Sequence, residues 1–171
     1  MTGAVRVADT RYFRLGMVLA AVILVADQAT KLWLVNVLGL KLGQSVDILP
    51  VLSLTRVHNY GISLGMLQAG SEIARWGLVA LTAGISIWLL RWLTRADRGY
   101  VALAVGLILG GAVGNIIDRV AYGYVVDFIH AHLSGWSFYV FNIADSAITI
   151  GVALLILNSL RRGQKPHNVE A

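Results

Sequence analysis

The sequence predicts an all-α membrane protein, with four transmembrane helices and a small extracytoplasmic β segment between helices one and two. Three observations carry that prediction. Of 171 residues, 57% are hydrophobic and 13% charged, and mean hydropathy is +0.72, whereas a soluble domain holds about 45–50% apolar residues. The apolar residues gather into four runs, at about 15–35, 73–93, 101–117 and 141–160. Each approaches the ~20 residues a helix needs to cross the hydrocarbon, the third being the shortest. Finally, the cations cluster beside the runs: Arg6, Arg11 and Arg14 before the first, Arg91, Arg95 and Arg98 between the second and third, and Arg161, Arg162 and Lys165 after the fourth. By the positive-inside rule those segments are cytoplasmic, both termini included, and 36–72 and 118–140 lie on the other side. The chain reads as a single integral membrane domain over 1–171.

The first run follows Arg11 and Arg14 as the core of a signal peptide would, but it continues past Ala26 without a small-residue cleavage site, which favours a retained span. The segment after it, SVDILPVLSLTRVHNYGISLGML, has short β-prone stretches broken by Pro50, Asn59 and Gly61, and is expected to form a small sheet on the outer membrane surface. The net charge of +5 is spread between apolar runs. It therefore gives no single basic face for nucleic acid. With no cysteine, thiol nucleophiles and thiolate metal sites are excluded.

Polar groups inside the spans are the costly choices, because a charge at membrane depth costs a few kcal/mol or more. Asp27 and Lys31 are spaced i, i+4, as an ion pair on one helix face in which Lys31 is free to snorkel outward. Gly106, Gly110 and Gly114 repeat every four residues, a stripe against which another helix can pack closely. Asn115 and Arg119 then share a face one turn apart, fitting either helix termination or contacts with a substrate backbone. Asn142 is a good N-cap, and Asp145 three residues on is where an acid favours the helix dipole. Capping alone explains both, but not Asp127, which a short connection brings to the same side. Two carboxylates close together share a proton; one then acts as base on a water while the other polarises a carbonyl.

Other chemistries fit less well. GISLG around Ser63, with His58 nearby, matches G-x-S-x-G, yet that motif needs a strand-to-helix elbow in a large α/β sheet. Asp127, His130 and His132 in DFIHAH are conceivable metal ligands, without the H-E-x-x-H helix that would strengthen the case. A non-enzymatic four-helix protein, with its polar groups serving packing, is the rival outside catalysis.

Taken together, DQATK (27–31), NYG (59–61), GGAVGNIIDR (110–119), VVDF (125–128) and FNIAD (141–145) resemble lipoprotein signal peptidase, the type II bacterial signal peptidase. The five motifs, in order, cover nearly the whole chain. The resemblance implies an aspartic endopeptidase of the bacterial inner membrane with its dyad at Asp127 and Asp145. It further implies that Asn59, Gly111, Asn115, Arg119, Asn142, Asp27 and Lys31 shape the pocket or bind substrate. The implied substrate is a prolipoprotein whose cysteine carries diacylglycerol, cut just before that cysteine near the outer face. No cofactor, metal or nucleic acid is implied, and the chain is expected to act as a monomer among membrane lipids. One departure from the family pattern stands at Leu64, where phenylalanine is usual.

Overall fold

The structure is a computed structural model that describes residues 10–61, 72–133 and 135–163. Ser63 and Leu64 lie outside them. Four helices, α1 (Thr10–Leu32), α2 (Glu72–Leu93), α3 (Gly99–Tyr122) and α4 (Ile143–Gly163), alternate with a four-stranded antiparallel sheet of order β1-β2-β3-β4. β1 (Ser45–Leu49) and β2 (Leu52–Asn59) follow α1, and β3 (Val125–Leu133) and β4 (Trp136–Phe141) follow α3. All four helices are long and apolar enough to cross a membrane, α1 being prolonged by a wider π-helical turn to Val37.

Two expectations need correcting. The β structure is not confined to the segment between the first two helices; half of the sheet comes from the connection between α3 and α4. Val125–Leu133 is itself rich in β-formers, but it becomes a strand because β2 pairs with it, with Ser53 opposite His130 and Asn59 opposite Val125. The third span does not stop at Ile117 either. It continues to Tyr122 and ends at Gly123, whose φ of 85° is a left-handed position that glycine occupies without strain. Its last carbonyls are satisfied from α2, where Arg75 donates to the carbonyls of Arg119 (2.8 Å) and Val120 (2.9 Å).

α3 is the central helix: 67% of its most apolar stretch is buried, against 22% or less in the others. Small residues make this possible. A Cβ added at Gly106 would lie 2.5 Å from the carbonyl oxygen of Gly16, and one at Gly110 would lie 2.5 Å from that of Ala20, both on α1. The predicted glycine stripe is thus the α1–α3 contact. Around it pack Leu89, Leu93, Val105, Ile108 and Leu109. Val18, Val22, Val25, Leu81, Ile87 and Trp88 point outward and exposed, as lipid-facing residues do. A second cluster of Leu34, Leu40 and Phe128 joins the sheet to the ends of α1 and α4.

Gly106→Val should destabilise the fold by about 1–3 kcal/mol or more, because the neighbour it meets is backbone and cannot yield. Gly77→Ala, where an added Cβ meets nothing within 4 Å, should be neutral or mildly stabilising. Thermal unfolding in detergent separates the two, and equal melting temperatures would contradict this packing.

Candidate active site

The start of α4 organises the polar end of the bundle. Asn142 precedes the first helical residue, and its Oδ1 accepts the N–H of Asp145 at 2.8 Å, the N-cap that the sequence predicts. The nitrogen of the same amide is left to donate elsewhere. Asn142 Nδ2 accordingly donates to Asp127 Oδ1 at 2.7 Å and, more weakly, to Asn115 Oδ1 at 3.3 Å. Asn115 repeats the device: it accepts from Asn142 and donates through Nδ2 to Asp145 Oδ1 at 2.8 Å. A third amide completes the set. Asn59, at the end of β2, accepts the N–H of Gly61 at 2.8 Å and donates to Asp127 Oδ2 at 2.9 Å. Gly61 has φ 98°, and an added Cβ there would meet Leu78 Cδ1 at 2.5 Å and the Arg119 guanidinium at 3.5 Å.

Asp127 and Asp145 are therefore linked through two asparagines, one acid on β3 and the other in the first turn of α4. Their surroundings differ. Asp127 is 2% exposed, whereas Asp145 is half-buried. Burial drives the Asp127 carboxyl up from 3.8 to about 7; the charge of Asp145 adds to the rise, while the amides of Asn59 and Asn142 and the charge of Lys31 oppose it. Arg119, one turn beyond Asn115, donates to the Asn115 carbonyl at 3.4 Å, lies within electrostatic reach of both acids, and has a buried Nε with no hydrogen-bond partner among the described residues. The arrangement holds one carboxyl that readily keeps a proton at neutral pH, a second open to water, and a cation with an unused donor beside them.

The other predicted residues fall elsewhere. Asp27 and Lys31 pair at 2.7 Å, but Lys31 does not snorkel: it is 4% exposed and also bonds Asp118 at 2.9 Å. The reason is that α3 supplies a second carboxylate, which compensates the buried ammonium better than a route to the interface would. Gly111 packs on the backbone of Ala144, the residue before Asp145. His58 stacks on Tyr124 with centroids 3.6 Å apart, and burial, then Arg56, lowers its pKa. His130 and His132 lie on β3, bonded to Thr55, Ser137 and Ser53. Two residues of the polar network escape the sequence reading, Gln28 and Asp118. Asp118 had a signal, since it lies four residues after Gly114 and three after Asn115 on the buried face of α3.

Comparison with known proteins places the chain in a family. The model of the signal peptidase II family matches residues 19–161. The chain belongs to that family. It is a protease, and a multi-pass membrane protein by its four helices. The peptidase is 47% identical over 146 residues to the lipoprotein signal peptidase of Methylocella silvestris, covering 85% of each chain. It is also 47% identical over 151 residues to that of Caulobacter vibrioides, covering 88% of this chain and 89% of the other. A solved bacterial membrane enzyme superposes with a TM-score of 0.78 at 33% identity, over 91% of this chain and 93% of that one.

Asn59→Ala removes a donor that favours the carboxylate, so the midpoint of Asp127 should move above about 7, whereas Asp145→Asn removes a like charge and should lower it. Carboxyl-carbon NMR titration reads both directions. Because the unfolded chain ionises Asp127 near 3.8 and the fold only near 7, this residue's contribution to stability is full below 3.8 and is lost as pH rises towards 7. Shifts in the opposite senses would show that the amides do not contact Asp127.

Proposed function

We propose that the peptidase removes signal peptides from diacylglyceryl-modified prolipoproteins, cutting just before the lipidated cysteine, with Asp127 and Asp145 as the catalytic pair. The observation that carries the reading is the asparagine-linked pair itself, one acid raised to about 7 and the other only partly buried. The names of the relatives support the substrate.

In the first step, ionised Asp145 takes a proton from water as the water oxygen attacks the scissile carbonyl, and protonated Asp127 donates to the carbonyl oxygen. The tetrahedral gem-diol so formed collapses when Asp145 returns its proton to the amide nitrogen and the C–N bond breaks. Asp127 then regains the proton that it lent, leaving a carboxylic acid on the signal peptide and a free amine on the cysteine. Arg119, with its unused Nε and within electrostatic reach of both acids, supplies positive charge to the developing oxyanion. Asn59, Asn115 and Asn142 orient the pair.

Placement supports the same reading. Arg91, Arg95 and Arg98 lie at the α2–α3 turn, opposite the end where α4 begins and the sheet sits. The positive-inside rule puts that turn in the cytoplasm and the aspartates at the outer interface of the inner membrane. There a lipid-anchored peptide has its acyl chains in the bilayer and its scissile bond at the dyad. An apolar groove of about 340 Å³ between α1, α2 and α3, lined by Met17, Leu24, Leu90 and Leu109 among others, provides a bed for acyl chains. The chain is proposed to work as one domain and as a monomer.

Cleavage of a diacylglyceryl-modified prolipoprotein in detergent is the test. Wild type should cleave equally with and without EDTA, and folded Asp127→Asn and Asp145→Asn should each fall by about 10⁴-fold or more. kcat/KM should decline as pH rises through about 7, where Asp127 loses its proton. Folded variants that cleave like wild type would return Asp145 to the role of a helix-end acid.

A further inference from the structure

The ion cluster of Asp27, Lys31 and Asp118 lies apart from the aspartate pair, yet its hydrogen bonds end beside both members. Asp118 Oδ2 accepts the N–H of Val126, the residue before Asp127, at 3.0 Å. Asp27 Oδ1 accepts the N–H of Ala144, the residue before Asp145, at 3.1 Å. One ammonium joins the two carboxylates, with Lys31 Nζ 2.7 Å from Asp27 Oδ2 and 2.9 Å from Asp118 Oδ2. Gln28 spans them again, its Nε2 donating to Asp118 Oδ1 at 2.9 Å and to Asp27 Oδ2 at 3.2 Å. All four carboxylate oxygens are thus occupied, and Asp27, Lys31 and Asp118 are each at most 4% exposed.

We propose that Lys31 and Asp118, acting with Asp27, are positioning residues for the reaction. They fix the separation of the Val126 and Ala144 peptide groups, and hence of Asp127 and Asp145; the proposal rests on that pair being the catalytic one. Packing alone does not account for the cluster, because a buried ion triad can often be exchanged for apolar side chains without loss of stability. What apolar side chains cannot supply is the pair of acceptors for those two N–H groups. Gly114 belongs to the same device: an added Cβ would lie 2.7 Å from Asp27 Oδ2, so the absence of a side chain there leaves Asp27 room beside α3.

The experiment measures kcat and KM per folded molecule on a diacylglyceryl-modified prolipoprotein, for the full chain in detergent. Asp118→Ala frees the peptide before Asp127 and should lower kcat by about 10²-fold, the order expected of a small misplacement, with KM little changed. Asp118→Asn keeps an acceptor for Val126 and should restore most of the loss, a rescue that a purely electrostatic or bulk-stability role would not give. The triple variant Asp27→Leu, Lys31→Met, Asp118→Leu, apolar and without buried charge, should stay folded yet lose kcat at least as severely, and it decides the matter if Asp118→Ala does not fold. If Asp127→Asn and Asp145→Asn are inactive while Asp118→Ala and the triple variant keep wild-type kcat, the positioning role is wrong and the dyad stands. If the two dyad variants remain active, the dyad reading itself fails.

Discussion

A helix that begins inside a folded protein brings with it buried N–H groups that need acceptors, and the polar architecture of this protein follows from how α4 meets that constraint. Two of those donors are taken by side chains, that of Ala144 by Asp27 and that of Asp145 by Asn142. Each solution creates the next requirement. A buried carboxylate at Asp27 needs a cation, and Lys31 supplies it; Lys31 in turn draws in Asp118, which holds β3. Asn142 accepts from the helix with its oxygen and donates to Asp127 with its nitrogen. Helix capping and site building are one network here. In FNIAD, capping by Asn142 and a bond from the same side chain to Asp127 coexist.

The same economy of donors explains why three asparagines, and not three serines or glutamines, surround the acids. Each amide spends its oxygen on a fixed N–H, of Asp145, of Asn142 or of Gly61, so that its nitrogen is aimed before any substrate arrives. Donors set in advance need no reorganisation during the reaction. Those of Asn59 and Asn142 also oppose the desolvation that raises the Asp127 carboxyl to about 7.

What the sequence revealed and what it hid divide along chain separation. The four apolar helices, the α1–α3 glycine stripe, the Asp27–Lys31 pair and the Asn142 cap all rest on spacings of a few residues, and the structure contains each of them. Asp118 was invisible in its role because its partners, Gln28 and Lys31, lie on another helix. Lys31 was given the wrong surroundings for the same reason, since an isolated i, i+4 pair would have let it reach outward. β3 and β4 were missed because strand pairing is a property of two segments. Nothing local to VVDFIHAHL announces that β2 runs beside it. The two acids could be named from the motifs, but the burial that distinguishes Asp127 from Asp145 could not.

The pairing of β2 with β3 slips by one residue between Leu54 and Val57. Before the slip, Ser53 sits opposite His130; after it, Val57 sits opposite Asp127 and Asn59 opposite Val125. In an antiparallel pair, opposed residues share a face and successive residues alternate. Without the slip, Asn59 would stand opposite residue 124 and project from the face of His130 and His132, away from Asp127. The extra residue changes the strand's parity, so that one alternating pattern serves a hydroxyl and histidine ladder on one face and then crosses to feed the aspartate on the other. A strand with one residue fewer would keep its composition and its sheet, yet aim the asparagine at the wrong side of it.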